Sequence, residues 1–197
     1  NVQYAEVSFA SGIVQFLQVP GDEIAEAIAK SAPNDMNVKV FMGIHHDGRP
    51  KEMEKVFENS LSWEYLDGVD LHGDERKPVE DWTAQYWKAI RESGRFTKAH
   101  AGELCGPKFI ENAIDSLGVR QIEHGVRAAE SPELTARLAR EEIVLDVCPT
   151  SNVKLRVSPS YAGHQLRALR NAGVKCTLNS DDPLIFGSQI SDEYEIL

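Results

Sequence analysis

The sequence predicts an α/β fold, a partial (β/α)8 barrel of the TIM type. Short apolar runs rich in β-branched residues alternate with amphipathic stretches along all 197 residues, and such alternation is typical of a parallel sheet. The runs recur at about the interval of roughly 31 residues that results when a barrel of about 250 residues is divided into eight units. Polar residues follow the ends of many different runs, where a barrel builds its active site.

Seven runs are predicted to be strands, namely residues 2–9, 38–44, 68–71, 96–100, 120–124, 143–147 and 174–178. Helical patterns lie between them, at residues 22–32, 50–65, 79–93, 106–117, 131–140 and 162–171. Asp22 and the pair Ser131-Pro132 stand where capping and first-turn residues favour the start of a helix. The sequence shows no linker, so we expect one partial domain over residues 1–197, with about seven of eight βα units and the first strand missing.

An open, doubly wound sheet is the alternative to a closed barrel. An open sheet concentrates its ligand at the point where the strand order reverses. The polar residues at or just after strand ends are instead spread along the chain, as Glu6, His45, Gly73, His100, His124 and Asp181. This distribution favours the barrel.

The charge and the apolar content limit the partners. The formal net charge is −10, and without a basic patch neither a nucleic acid nor an acidic membrane surface is an expected partner. The apolar stretches fall far short of the roughly 20 residues that span a bilayer. Three cysteines without close spacing argue against a disulfide framework and favour a reducing cytoplasm. The sequence does not indicate an oligomeric state.

The residues suited to chemistry are concentrated at the last predicted strands. His100 ends one strand, and Glu103 follows three residues later. His124 ends the next strand, and Asp181-Asp182 follow the last one. A single histidine can merely cap a strand, and paired aspartates commonly cap a turn. At neighbouring corners of one barrel, however, imidazoles and carboxylates converge on one mouth, and this mixture suits Zn²⁺ with an activated water.

Six short segments carry a resemblance to a known family. They are Tyr4-Ala5-Glu6-Val7, Asp70-Leu71-His72-Gly73-Asp74-Glu75, His100-Ala101-Gly102-Glu103, His124-Gly125, Val147-Cys148-Pro149-Thr150-Ser151-Asn152 and Ser180-Asp181-Asp182-Pro183. In this order and at these spacings they resemble the signature motifs of the adenosine deaminase family. One such segment is weak evidence, whereas six in order over essentially the whole chain are specific. The resemblance implies a barrel of the metal-dependent hydrolase kind that deaminates an aminopurine.

The resemblance also implies a role for the matching polar residues. His100 and Asp181 are expected to bind Zn²⁺, which lowers the pKa of a bound water towards about 7. Glu103 is expected to give a proton to the ring nitrogen beside the amino-bearing carbon. His124 is expected to stand beside the water, to orient it, and to accept its proton or ease its loss electrostatically.

The same resemblance implies two substrate contacts, and the sequence departs from the family pattern in three places. Asp182 is expected to bond the imidazole side of the purine, and the Gly73 backbone N–H the opposite ring nitrogen. Ser8 stands where many relatives carry an arginine, and Glu123 where a glycine is usual, so both bear on the choice of substrate. The family's first strand carries a His-x-His pair. These two further zinc ligands are expected N-terminal to the chain, so the 197 residues alone are expected to be inactive.

Other polar residues are interpreted from their local sequence. Cys148 is expected to pack at the end of its strand rather than to act as a nucleophile, because no adjacent base is evident. His45 and His46 are expected to form a solvated loop pair, with lining of the pocket as the alternative. For His72, contact with substrate and a structural role are both open. His164 is expected to be a surface or capping residue near a helix start.

The leading functional prediction is a cytoplasmic zinc-dependent hydrolase of purine metabolism, with a small-molecule partner, that converts adenosine to inosine and ammonia. Adenine and aminodeoxyfutalosine deaminases are alternatives, because residues 100–107 and 180–187 resemble those bacterial subfamilies as closely. Another class of alternative is a metal-free binding protein on the same scaffold, which would not need titratable groups at one mouth. Cytidine-type deaminases are excluded, because they need a Pro-Cys-x-x-Cys ligand pair that the sequence lacks.

Overall fold

The computed structural model describes residues 2–46 and 51–196. Pro50, at which one of the predicted helices begins, lies outside the described residues. The chain divides into two compact units, Asn1–Lys98 and Ala99–Leu197. A single domain over residues 1–197 stays a prediction.

The described part of the first unit contains three parallel strands that pair in chain order, β1 Tyr4–Ala10, β2 Asn37–His45 and β3 Gly68–His72. Its helices are α1 Gly12–Leu17, α2 Gly21–Ser31, α3 Lys51–Ser60 and α4 Asp81–Glu92. The register pairs Val7 with Val40 and Phe41 with Gly68. The central strand β2 is buried from Val40 to Ile44, as its apolar and β-branched residues favour.

A buried ion pair helps to hold the first unit together. The Trp87 side chain on α4 is fully buried, and its Nε1 donates to the carbonyl oxygen of Lys98 at 3.2 Å. Lys98 Nζ lies 3.0 Å from Glu6 Oε2 and 4.3 Å from the centre of the Phe41 ring. An ammonium is costly to bury unless it is paired. The carboxylate and the face of the aromatic ring offset that cost.

The second unit continues the alternation. β4 Phe96–Ala101 begins in the first unit and ends in the second, followed by the parallel strands β5 Gln121–His124, β6 Val144–Val147 and β7 Lys175–Leu178. Within this unit β4 pairs with β5, β5 with β6, and β6 with β7. Its α-helices are α5 Pro107–Leu117, α6 Pro132–Arg140, α7 Pro149–Lys154, α8 Leu166–Asn171, α9 Pro183–Phe186 and α10 Ile190–Glu195. A 3₁₀ helix, Val126–Glu130, follows β5.

The predicted helix starts are confirmed where local chemistry fixes them. Ser131 caps α6, since its Oγ accepts from the Leu134 N–H at 3.2 Å, and Pro132 stands in the first turn. Asp22 lies in the first turn of α2, where a negative charge favours the helix N-terminus. Gly118 ends α5 in the left-handed conformation, at φ 65°, which costs glycine little.

All seven predicted strands occur among the described residues, with ends shifted by two residues or fewer. Two helices are four or five residues shorter than predicted at one end, since α3 ends at Ser60 and α8 begins at Leu166. The helices α1, α7, α9 and α10 were not predicted, because four to six residues are too few to show a helical period. Among the described residues, no helix is both long and apolar enough to cross a lipid bilayer.

A matched pair of leucines tests the placement of the core. Leu138 on α6 is fully buried, whereas Leu155 is 46% exposed. Leu138→Ala leaves a cavity, so we expect the free energy of unfolding to fall by about 2–5 kcal/mol. The control Leu155→Ala is expected to change it by less than about 1 kcal/mol. Denaturant unfolding measures both values, and equal losses would contradict this core.

Candidate active site

The second unit gathers polar side chains at the carboxyl ends of its four paired strands. His100 stands one residue before the end of β4, and His124 is the last residue of β5. Cys148 follows β6 directly, and Asp181 lies three residues beyond the end of β7. Because carboxyl ends of parallel strands meet at one edge, these residues face a common region. The structure therefore brings together His100, His124 and Asp181, as predicted from their positions.

The main chain is unusual at this edge. His124 has φ 62° and Asp181 has φ 56°, a left-handed conformation that costs non-glycine residues about 1–3 kcal/mol. Gly102, between His100 and Glu103, has φ 72°, and a Cβ there would lie 2.3 Å from Ile110 Cδ1. Such strain is concentrated at functional sites in proteins. The strained backbone at His124 and Asp181 therefore indicates the same functional residues as the positions of their side chains do.

Imidazoles and carboxylates lie close together in this site. His124 Nε2 is 3.7 Å from Glu103 Oε2 and 3.9 Å from Asp181 Oδ2. The His100 and His124 ring centres are 5.3 Å apart. The side chains of His124, Glu103 and Asp181 are only 3%, 13% and 20% exposed. Screening by water is weak at such burial, so a change in charge on one group strongly affects the others.

The donor set fits a divalent metal ion. Potential ligand atoms of His124, Cys148 and Asp181 all lie within 4.8 Å of one another, and the His100 ring lies beside His124. Imidazole nitrogen and carboxylate oxygen are among the ligand types that Zn²⁺ takes in proteins. The imidazoles and the Asp181 carboxylate of the cluster therefore have the chemistry of a metal site.

Cys148 belongs to the cluster without the properties of a nucleophile. Its side chain is buried, and its Sγ lies 3.6 Å from the carbonyl oxygen of Asp146, to which it donates. Burial, and then the charge of Asp181 and of the carboxylates around it, raises the pKa of the thiol well above its usual value. The neutral thiol is a poor nucleophile. The prediction that Cys148 packs at the strand end is confirmed.

Two residues behind His124 were not predicted as part of the site. Asn152 Nδ2 lies 3.3 Å from His124 Nδ1, and Asn152 Oδ1 lies 3.2 Å from His164 Nε2. His164 Nδ1 accepts from the Leu166 N–H at 3.0 Å, so its capping role at α8 is confirmed. Its surface placement is wrong, because His164 is buried. No spacing in the sequence pairs His164 with Asn152, so only the fold could reveal this contact.

The remaining predicted residues lie elsewhere. Asp182 precedes α9 and is exposed. Gly73 belongs to the first unit, at φ 94°, where a Cβ would lie 2.7 Å from His45 Nδ1; its contact with substrate stays a prediction. In that unit the His45 and His72 ring centres are 4.3 Å apart. The interpretation of a solvated histidine pair is wrong for His46, which is buried, whereas His45 is exposed.

The sequence model of the family described as adenosine deaminase matches residues 1–197. The adenine deaminase of Rhizobium meliloti (strain 1021) is 45% identical over 159 residues, which are 80% of this chain and 49% of that protein. The adenine deaminase of Albidiferax ferrireducens is 36% identical over 200 residues, which are 98% of this chain and 58% of that protein. The chain thus spans about half the length of the curated relatives that it matches.

Solved structures agree with this grouping. The crystal structure of an adenine deaminase from Arthrobacter aurescens has a TM-score of 0.89 at 27% identity, over 98% of this chain and 61% of that chain. An amidohydrolase from Burkholderia ambifaria with bound Zn has a TM-score of 0.86 at 26% identity, over 100% of this chain and 57% of that chain. The predicted α/β barrel class is confirmed by this likeness and favoured over the open sheet.

Proposed function

Because the chain belongs to the adenosine deaminase family, we propose that the intact protein is a metal-dependent hydrolase that converts adenine and water to hypoxanthine and ammonia. Curated relatives named adenine deaminase, at 36–45% identity, support adenine over the adenosine predicted from the motifs. The motifs alone do not separate the two, since the reacting ring is common to both. The two substrates differ by the ribose of adenosine. The residues that match the family motifs are not expected to contact that ribose.

The observation that carries this proposal is the position of His124 between two carboxylates. Its Nε2 lies 3.7 Å from Glu103 and 3.9 Å from Asp181, in a region where little side-chain surface is exposed. Hydrolytic deamination needs one group that protonates the ring and another that holds water at the ring carbon. The cluster supplies both next to a carboxylate able to bind a metal. A purely structural ion cluster would not need the strained backbone of His124 and Asp181.

The metal proposed for this site is Zn²⁺, held by His100 and Asp181 together with two histidines from outside the chain. The support is the mixture of imidazole and carboxylate, which Zn²⁺ prefers, and the bound Zn of the Burkholderia ambifaria amidohydrolase. When bound, the ion would supply Lewis acidity that lowers the pKa of a water towards about 7.

The proposed proton transfers use residues of this chain. Glu103 in its protonated form gives its proton to the ring nitrogen beside the amino-bearing carbon, which makes that carbon more electrophilic. His124 holds the water that attacks this carbon. As the water oxygen bonds to the ring carbon, one of the two water protons goes to the amino group, which leaves as ammonia when the C–N bond breaks. The other returns to Glu103 in place of the proton given to the ring nitrogen, and the oxygen stays on the ring as the carbonyl of hypoxanthine. Asp182 and the Gly73 N–H are proposed to fix the two edges of the purine.

The proposal is tested by ammonia release from the intact protein. We expect turnover of adenine and a kcat/KM at least about 10-fold lower for adenosine and aminodeoxyfutalosine, because only adenine lacks the sugar. Ammonia and hypoxanthine should form in equal amounts. A metal-free binding protein would retain purines without releasing ammonia, and a preference for adenosine would overturn the choice of adenine.

Glu103→Gln tests the proton donor. We expect kcat to fall by about 10²-fold or more, because the amide cannot exchange the proton, while zinc content measured by elemental analysis stays near that of the wild type. Glu195→Gln, an exposed change on α10, is the matched control and should leave kcat unaltered. Normal turnover in Glu103→Gln would remove Glu103 from this role.

The adjacent aspartates provide a test of the metal ligands. We expect His100→Ala and Asp181→Ala to lower zinc occupancy, since each removes a proposed ligand atom. Asp182→Ala should keep the metal and raise the Kd for adenine. Elemental analysis and substrate titration of the three variants measure these effects. If Asp182→Ala lost zinc while Asp181→Ala retained it, the assignment of the two aspartates would be reversed.

A further inference from the structure

A line of hydrogen bonds runs from the backbone of α8 to His124. It begins at the Leu166 N–H, 3.0 Å from His164 Nδ1, and continues from His164 Nε2 to Asn152 Oδ1 at 3.2 Å. It ends where Asn152 Nδ2 lies 3.3 Å from His124 Nδ1. His164, Asn152 and His124 are 9%, 0% and 2% exposed. Buried polar groups in such a line must match donor to acceptor, because each mismatch costs about 1–3 kcal/mol.

The direction of every bond follows from the first one. A peptide N–H can only donate, so His164 Nδ1 must accept and carries no hydrogen. Burial lowers the pKa of His164, with partial opposition from the charge of Glu193, and the ring is neutral near pH 7. A neutral imidazole has one ring hydrogen, which in His164 therefore stands on Nε2, facing Asn152.

The amide of Asn152 is oriented by this hydrogen. Its Oδ1 must face His164 Nε2–H, because the reversed amide would set two donors against each other. Its Nδ2 then donates to His124 Nδ1. The main chain of Asn152 is also fixed, since its carbonyl oxygen accepts from the N–H groups of Val157 and Ser158 at 2.8 and 3.0 Å. The Asn152 side chain therefore cannot rotate, and its backbone cannot shift, without breaking these hydrogen bonds.

From this line of bonds we propose that His164 and Asn152 are positioning residues that hold His124 with Nδ1 as acceptor and its ring hydrogen on Nε2. The hydrogen then points into the region between Glu103 and Asp181, where it can be donated to the attacking water. The effect of this hydrogen on turnover rests on the proposed function. The placement of the hydrogen rests only on the contacts of the second unit.

The assignment distinguishes His124 from a metal ligand. His124 lies within the group of donors that could hold a metal, but one ring nitrogen accepts from Asn152 and the other carries a hydrogen. No lone pair of the neutral ring is left for coordination. His124 therefore acts as a donor that orients water. The alternative task, acceptance of the proton of water at Nε2, would need a different tautomer.

The position of the hydrogens can be measured directly. We expect nitrogen–proton NMR spectra of the intact, zinc-loaded protein, labelled with ¹⁵N in its histidine rings, to show Nδ1 of His124 and of His164 as unprotonated nitrogens and both Nε2 atoms as protonated. The signals are assigned from spectra of His124→Gln and His164→Gln. A hydrogen on Nδ1 of His124 would overturn the proposal. This measurement needs no turnover, so it stands even if adenine is not the substrate.

Asn152→Asp reverses one bond with little change in shape. A carboxylate accepts from both rings, so the His124 hydrogen should move to Nδ1. We expect kcat for adenine to fall by about 10–100-fold, with KM changed by less than about 3-fold. A tautomer and a kcat that both stay at wild-type values would contradict the proposal.

Substitutions at His164 distinguish a role in positioning the His124 ring from a role in stabilising the fold. His164→Phe removes both bonds of the ring, and we expect a kcat loss similar to that of Asn152→Asp. His164→Gln can accept from Leu166 N–H and donate to Asn152, so it should recover at least about half of the lost kcat on a logarithmic scale. Arg167→Gln, an exposed change on α8, is the control and should keep the wild-type His124 spectrum. Equal losses in the Phe and Gln variants, with unaltered His124 signals, would show a merely structural role.

Discussion

The parallel register of β4 to β7 is the constraint on which the candidate site depends. It brings His100, His124, Cys148 and Asp181 to one edge although they are far apart in the sequence. Side chains alternate between the two faces of a strand, so a slip by one residue would exchange the faces. In β5 such a slip would replace the His124 imidazole by the Glu123 carboxylate. The apolar residues that fix the register therefore also fix the chemistry of the site.

Charge gathered at this edge has a cost that the surroundings must offset. The Glu103 and Asp181 side chains are largely shielded from water, although the Asp181 residue as a whole is exposed. Glu123 and Asp146 are buried nearby in the same unit. Their combined effect is visible in the raised pKa of the Cys148 thiol, whose first cause is burial. A bound divalent cation is often the largest local charge in such a site. The proposed metal would therefore lower the electrostatic cost of holding these carboxylates together.

The sequence predicted the parts of the molecule that depend on short-range patterns. Apolar runs predicted the strands, and polar residues at their ends predicted the grouping of His100, His124 and Asp181. The burial of His164 was not predictable, because it depends on the loop after β6, which folds back through the Asn152 carbonyl rather than through any periodic pattern. Cys148 was expected to pack, but its closeness to His124 and Asp181 requires the register of neighbouring strands.

The His124 ring is constrained from two directions. Its backbone is left-handed, at φ 62°, a conformation that persists only where the surroundings leave no cheaper choice. Gly125 follows in the same conformation, at φ 63°, and its N–H donates to the Ala101 carbonyl at 3.1 Å, which ties the turn after β5 to β4. Asn152 holds the far side of the ring. A ring fixed at both its backbone and its Nδ1 has little freedom to rotate. In the proposed reaction, such a ring would keep the attacking water where it can react for more of the time.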